Sequence, residues 1–199
     1  MLSGILTSFL GVILFLFFFW RRLKEDYPAN QIFTTAFYVL VGILAGFLLS
    51  KKFFPSAWFW AEFLGVALGF ALGVLRYKLR LFESLEALSV SLLIWLGVYF
   101  LKDSIVATSL PSFLSFFAVT CLITFYAYLD AHYKLFSWYA SGKAGFSGLA
   151  TLGLFFLVRA GFASFFPFVI SFVDKYEAIL SGVAAFIFFL ATFNLARQK

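Results

Sequence analysis

The sequence predicts an all-α, polytopic membrane protein with seven transmembrane helices. Of its 199 residues, 64% are hydrophobic and only 12% are charged, and the mean hydropathy is +1.03. A water-soluble domain of this size could not expose so apolar a chain. The apolar residues fall into seven runs long enough to be membrane spans, which predict a single transmembrane domain over residues 1–199. The predicted spans are 2–20, 33–49, 58–75, 86–101, 112–129, 145–166 and 178–195.

The first two spans are bounded by charged residues and proline. Arg21 and Arg22 follow the first span, and no basic residue precedes it. A cleaved signal peptide has the reverse order, so this segment is expected to remain as a helix. A short polar loop with Pro28 leads into the second span, which ends before a pair of lysines and Pro55.

The third and fourth spans form the centre of the predicted bundle. The break between them, RYKLRLFESLEAL, carries three basic residues before Glu83 and Glu86, and we interpret it as a cytoplasmic turn. The two glutamates are expected mainly to oppose the positive end of the fourth helix, where Arg80 lies within pairing distance. Glu86 is also a secondary candidate for a functional site.

Polar connections separate the last three spans. Residues 102–111 precede the fifth span, and residues 130–143 form the longest polar connection, with tyrosines and tryptophans suited to a headgroup layer. Residues 167–177 form a partly apolar outer loop before the seventh span, and the chain ends on a basic tail.

The basic residues predict the orientation of the bundle. With the amino end outside and the carboxyl end cytoplasmic, ten basic residues lie inside and four outside, as the positive-inside rule requires. The ten are Arg21, Arg22, Lys24, Arg76, Lys78, Arg80, Lys134, Lys143, Arg197 and Lys199. The four are Lys51, Lys52, Lys102 and Lys175. This distribution explains the net charge of +6 without a nucleic-acid partner.

Small residues mark where helices are expected to pack closely. Glycines recur at four-residue spacing in the second and third spans, so on a helix they form a stripe that another backbone can approach. The predicted packing glycines are Gly42, Gly46, Gly65, Gly69, Gly73 and Gly97.

Two charged residues are predicted inside the membrane. Arg159 in the sixth span lies about 10 Å below the outer surface, and Glu62 in the third span about 6 Å below it. An unpaired charge in hydrocarbon costs roughly 3 kcal/mol or more. Three interpretations stay open: a structural ion pair, two side chains that snorkel separately, or a cavity where Arg159 holds an anionic lipid headgroup.

Other chemistry has little support. His132, the single histidine, lies in a predicted cytoplasmic loop, and Cys121, the single cysteine, lies in an apolar run. The stretch GFSG around Ser147 resembles the nucleophile motif of rhomboid intramembrane proteases, but no histidine follows it. We therefore predict no metal, no cofactor and no confident catalytic residue.

Several stretches carry a family resemblance. Residues 2–49 contain a glycine-bearing first helix, an Arg-Arg pair at its end and a glycine-rich second helix. The stretch FWAEFLG follows at residues 59–65. Further along, RLFESLEAL leads into the fourth span at Glu86, and GLATLGLFFLVRAGF in the sixth span contains Arg159. This layout resembles prolipoprotein diacylglyceryl transferase, a bacterial seven-helix enzyme family, over nearly the whole chain. In that family an aspartate stands where Glu86 lies and an arginine where Arg159 lies.

The resemblance implies transfer of a diacylglyceryl group from phosphatidylglycerol to the cysteine of a lipoprotein precursor, in a bacterial-type inner membrane. Several family motifs are only partly present. Trp60 stands where the family has a histidine, and Val98 stands where it has one of its arginines. Pro111 and Ser112 resemble the family's His-Pro-Thr-Gln pattern, but the histidine before the proline is missing here. Neither tryptophan nor valine supplies a base or a cation for phosphate.

Three classes of function follow. An active or diverged transferase would bind phosphatidylglycerol through Arg159. A catalytically inactive relative would bind anionic lipid or a membrane partner. A small substrate-binding component of a membrane importer is the third class, although such proteins usually have fewer spans.

Overall fold

The structure is a computed structural model that describes residues 2–136, 139, 141, 143–165, 171–173 and 176–197. These residues form seven long helices and two short 3-10 turns, with no strand among them. The helices are α1 (Leu2–Leu23), α2 (Ala29–Phe53), α3 (Trp58–Tyr77), α4 (Leu81–Val106), α5 (Leu110–His132), α6 (Phe146–Phe165) and α7 (Glu177–Arg197). Residue 166, Lys175 and Lys199, which entered the predictions, lie outside the described residues.

All seven described helices are long and apolar enough to cross a membrane. Even a helix of 20 residues, such as α6, is about 30 Å long, which is the thickness of a bilayer's hydrocarbon core. The all-α class and the number of helices able to span a membrane are therefore confirmed for the described residues. The orientation of the ends and the kind of membrane stay predictions.

Two helix boundaries differ from the prediction in ways that affect buried charges. α4 begins at Leu81 rather than at residue 86, so that Glu83 lies in its first turn and Glu86 in its second. α7 begins at Glu177, a residue that the sequence pattern assigns to the preceding loop. The charged residue in each extension has an ion-pair partner, exposed Arg80 for Glu83 and buried Arg159 for Glu177.

Local sequence signals set several helix ends. Ser109 precedes α5, and its Oγ accepts a hydrogen bond from the Ser112 amide at 3.4 Å, with Pro111 in the first turn. This is the usual chemistry of a helix amino terminus. α3 ends at Tyr77, and the next residue, Lys78, caps it with a left-handed backbone (φ 52°) and an amide that donates to the Val74 carbonyl.

α4 lies at the centre of the bundle and packs against α1, α5 and α6. α2 pairs with α3, and α6 pairs with α7, as helical hairpins. The two hairpins meet through large aromatic side chains, since Phe59 and Trp60 of α3 contact Phe156 of α6. Large apolar side chains such as Leu68 and Phe117 are exposed on the outer faces, as expected where helices face lipid.

The glycines of the α2–α3 hairpin let the two backbones touch. A Cβ on Gly42 would collide with the Gly65 carbonyl, and a Cβ on Gly65 would collide with the Gly42 carbonyl. Three further glycines, Gly46, Gly69 and Gly73, face residues of the partner helix in the same way.

Gly97 of α4 differs from these five glycines. A Cβ there would meet only the Val119 side chain, at 3.4 Å, which is an ordinary van der Waals distance. Close backbone approach therefore does not require glycine at this position.

Candidate functional site

The buried charged residues of the described chain fall into two clusters. Those residues are Glu86, Arg159 and Glu177. The Arg159 cluster comprises Arg159, Glu177, Trp60, Ser171 and Ser181. The Glu86 cluster comprises Glu86, Arg22, Asp130, Tyr126 and Ser147. Ser147 and Arg159 are about 18 Å apart along α6, so the clusters lie toward opposite ends of the bundle.

Arg159 forms a buried ion pair with Glu177. Its Nε donates to Glu177 Oε1, and the two side chains are 3% and 0% exposed. Its Nη1 donates to the Ser171 hydroxyl at 2.8 Å and its Nη2 to the Ser171 carbonyl. Each guanidinium nitrogen thus has an acceptor, and the pair is neutral overall. Pairing of this kind is what makes an arginine tolerable inside a membrane protein.

The Glu177 carboxylate collects donors from three helices and a connecting segment. Besides Arg159, the Ser181 hydroxyl donates to Oε1 at 2.6 Å. The Trp60 indole and the Val173 amide both donate to Oε2 at 3.0 Å. Because Glu177 is the first residue of α7, the positive end of the helix dipole also favours its negative charge.

Two aromatic rings flank the Arg159 guanidinium. Its Cζ lies 3.6 Å from the ring centroid of Phe59 and 4.8 Å from that of Phe172. A cation over an aromatic face is attracted by the ring quadrupole, and more strongly when water is excluded. The rings therefore stabilise the guanidinium and help to keep it dry.

Glu62, a candidate partner of Arg159 in one of the three interpretations, is not its partner in the structure. Its backbone lies against Gly46 of α2, and its half-buried carboxylate has no hydrogen bond or ion pair with any described residue. The reason is geometric. Glu62 is two positions beyond Trp60 and hence about 200° further round α3, so it points elsewhere when Trp60 contacts Glu177.

Glu86 is the centre of the second cluster and is only 1% exposed. Its Oε1 accepts from Arg22 Nη2 and from the Ser147 hydroxyl, both at 2.8 Å, and from the Tyr126 hydroxyl at 3.3 Å. Its Oε2 accepts from the Gly145 amide. These contacts connect α1, α4, α5 and the amino end of α6.

The role predicted for Glu86 at a helix end therefore needs correction. Because α4 begins five residues earlier than expected, Glu86 faces the bundle interior rather than solvent. Glu83 does have the predicted partner, since Arg80 Nη1 donates to its Oε1 at 2.9 Å.

Asp130 adds a second carboxylate to the Glu86 cluster. Arg22 Nη2, which bonds Glu86, also donates to Asp130 Oδ1 at 3.1 Å, and both side chains are about one-third exposed. Tyr139 lies beside this cluster, outside the membrane-spanning segments. Burial raises the pKa of its phenol, and the nearby Glu86 carboxylate adds to the increase.

The sequence interpretation missed Glu177, Arg22 and Asp130 as cluster members. All three stand where an apolar run meets a polar connection, and hydropathy alone assigns such residues to the loops. One signal was available. Glu177 and Ser181 have helical i, i+4 spacing, which places two polar side chains on one face at the start of α7.

The arrangement offers no centre for a metal in the described ranges, which contain no group of three or more His, Cys, Asp or Glu able to hold one. The fold and the two clusters define the chain only as a multi-pass helical membrane protein with buried ion pairs. No protein-family model, curated protein or solved structure matches the chain.

Proposed function

We propose that the protein binds membrane phospholipid and has no diacylglyceryl transferase activity. The absence of transferase activity is supported by one observation: the Glu177 carboxylate accepts hydrogen bonds from both Trp60 and Arg159. By the family resemblance, these two residues stand where the transferase has its histidine and a phosphate-binding arginine. Both are engaged in a structural network.

Arg159 is poorly suited to hold a phosphate. Its charge is already neutralised by Glu177, and its side chain is only 3% exposed. A phosphate drawn to Arg159 would lie close to the Glu177 carboxylate in a medium of low dielectric constant. The like-charge repulsion and the cost of desolvating the phosphate would oppose binding.

The Arg159 cluster also lacks a base for a thiol nucleophile. The Trp60 indole can only donate a hydrogen bond, and the Glu177 carboxylate is occupied by four donors. His132 is the last residue of α5. It lies about 26 Å along that helix from Ser115, which is near Arg159. Acid–base catalysis needs the base within hydrogen-bonding reach.

The buried Arg159–Glu177 ion pair favours lipid binding over a purely structural role for the cluster. A buried ion pair is weak evidence for stability, because well-packed apolar residues often serve a fold equally well. The Arg159 cluster lies where α3 and α7 begin, and the ends of membrane spans are generally where the polar groups of lipids meet the hydrocarbon. A polar interior at that depth suits recognition of a lipid.

The proposal is tested with purified protein, labelled phosphatidylglycerol and a peptide with the precursor's cysteine motif, beside an active transferase as control. We expect no labelled peptide. Native mass spectrometry of the same preparation is expected to show retained phospholipid. Labelled peptide would contradict the absence of activity, and complete loss of phospholipid in gentle detergent would contradict binding.

A further inference from the structure

Two matching pairs of side chains face each other between α3 and α4, and each pair combines an aromatic ring with a carboxylate. Trp58 and Glu62 are four residues apart on α3, and Tyr99 and Asp103 are four residues apart on α4. Residues at this spacing lie on one face of a helix. The two faces meet, because the ring centroids of Trp58 and Tyr99 are 5.4 Å apart.

Tyr99 has a carboxylate on either side. Because α3 and α4 run in opposite directions, Glu62 lies one helical turn to one side of the ring contact and Asp103 one turn to the other, about 6 Å each way along the helices. The negative charges of Asp103 and Glu62 both act on the Tyr99 phenol. This part of the α3–α4 boundary is therefore electronegative.

Glu62 and Tyr99 have hydrogen-bonding capacity that the described chain does not use. Neither the Glu62 carboxylate nor the Tyr99 hydroxyl has a hydrogen bond or ion pair with any described residue. Asp103 differs, since its Oδ2 accepts from the Ser112 hydroxyl. An unpaired carboxylate is costly within an apolar span, so a ligand that brings positive charge and N–H donors would stabilise Glu62.

The described part of the chain supplies no cation for this carboxylate. The basic residues at the same ends of α2 and α4 are Lys51, Lys52 and Lys102. None of the three forms an ion pair with a described carboxylate, and Arg159 is paired with Glu177. A compensating charge for Glu62 must therefore come from another molecule.

Backbone packing does not close the boundary between α3 and α4 at this point. α3 packs closely against α2 but not against α4, so that side chains bridge the two helices. Trp58, Glu62 and Tyr99 are each partly exposed. The carboxylate is thus accessible at the surface of the bundle.

A primary ammonium group matches this site. It carries one positive charge and three N–H donors, which suits a carboxylate with a hydroxyl nearby, and aromatic rings are favourable neighbours of a cation. Trp58 is the first residue of α3, and Asp103 lies in the last turn of α4. The ends of membrane spans are generally where lipid headgroups meet the hydrocarbon, so a lipid can supply the ammonium group.

We propose that Glu62 and Tyr99 bind the primary ammonium group of an aminophospholipid such as phosphatidylethanolamine. This inference rests on the proposed function and specifies the headgroup chemistry that is recognised. An anionic headgroup without an amine would be repelled by Glu62.

The test compares phospholipids with the same acyl chains and different headgroups. The protein is reconstituted with equal amounts of phosphatidylethanolamine, phosphatidylcholine and phosphatidylglycerol, and the retained lipid is measured by native mass spectrometry. Phosphatidylcholine has the phosphate and the positive charge but no N–H donor. Phosphatidylethanolamine is expected to be retained about three- to tenfold over it, the effect of one hydrogen bond. Phosphatidylglycerol should be retained no better than phosphatidylcholine.

Substitutions locate the site. Glu62→Gln keeps the shape of the side chain but removes its charge, and it is expected to abolish the preference for phosphatidylethanolamine. Tyr99→Phe removes only the hydroxyl and should reduce the preference. The matched control is Glu25→Gln, the same change at an exposed residue between α1 and α2, which should leave the preference unchanged. Far-ultraviolet circular dichroism checks that the variants fold.

Several results would overturn the inference. Equal retention of phosphatidylethanolamine and phosphatidylcholine, a preference for phosphatidylglycerol, or equal effects of Glu62→Gln and Glu25→Gln would each contradict amine recognition at Glu62 while leaving phospholipid binding intact. An unchanged preference in Tyr99→Phe would contradict the part assigned to the hydroxyl. Retention of no phospholipid at all would contradict the inference and the proposed function together.

Discussion

Glu177 is the residue on which the Arg159 cluster depends. Four donors converge on its two carboxylate oxygens, and it supplies the only carboxylate paired with Arg159 among the described residues. A change that removes one donor therefore weakens the cluster, whereas a change that removes the negative charge leaves an arginine unpaired inside the bundle.

Trp60→Phe tests one of these donors. The substitution keeps an aromatic ring but removes the indole N–H that donates to Glu177 Oε2. We expect the free energy of unfolding, measured by titration with sodium dodecyl sulfate, to fall by about 1.5–3 kcal/mol, the range for a hydrogen bond to a charged group. Trp20→Phe in α1 is the control for loss of ring area. Equal losses in the two variants would contradict a bond to Glu177.

Glu86→Gln tests the second cluster. Glutamine keeps the shape of the side chain but removes the charge opposite Arg22, and its amide group would face another donor, either the Gly145 amide or Arg22 and Ser147. The free energy of unfolding should fall by about 1–3 kcal/mol. Glu83→Gln, three positions earlier at a pair with exposed Arg80, should change it little. A larger effect at Glu83 would contradict the assignment of Glu86 as the buried centre.

Arg159 was predictable from the sequence as a buried charge, but its partner was not. An arginine within an apolar run must find an acceptor, so the need for a partner follows from one residue. The identity of that partner depends on whether α7 begins at Glu177 or one residue later, and on which way Trp60 turns on α3. Both are set by packing between helices, which hydropathy does not encode.

At the scale of helices, the close contact between α2 and α3 is the feature most sensitive to a single methyl group. Gly42→Ala would drive a Cβ into the Gly65 carbonyl, so we expect the free energy of unfolding to fall by about 1–3 kcal/mol. Gly182→Ala in α7 is the control, since no atom lies within 4 Å of a Cβ there. That variant should match or slightly exceed the parent protein because alanine favours helix.

Equal free energies of unfolding for the Gly42→Ala and Gly182→Ala variants would contradict the close packing of α2 against α3. The spacing of the α2 and α3 glycines indicated a close helix contact, because small residues on one face have few other uses in a membrane helix. The spacing did not indicate which helices would touch. Gly97, a single glycine of α4 that was also predicted to pack closely, has only ordinary contact distances.

Helix number was the most predictable property of the whole molecule, because seven apolar runs can hardly be accommodated except as seven spans. Helix ends were less predictable, since α4 begins five residues before its predicted span and α7 begins at Glu177, one residue before its own. Orientation rests on the distribution of basic residues alone.

Thiol labelling tests the predicted orientation. In a Cys121→Ser background, a cysteine at Ala107, between α4 and α5, should react with a membrane-impermeant maleimide in intact spheroplasts. A cysteine at Lys24, between α1 and α2, should react only after the membrane is opened. Both positions are exposed. The opposite pattern would contradict the orientation with the amino end outside, and labelling of both sites in sealed spheroplasts would contradict an odd number of spans separating them.

The most direct test of the account is a double-mutant cycle between Arg159 and Glu177, with Arg159 and Glu62 as the comparison. The free energy of unfolding is measured for Arg159→Met, Glu177→Gln and Glu62→Gln, singly and in the two pairs that include Arg159. We predict a coupling energy of about 2–3 kcal/mol for Arg159 with Glu177, and one within about 0.5 kcal/mol of zero for Arg159 with Glu62. A coupling to Glu62 that exceeds the coupling to Glu177 would contradict the account.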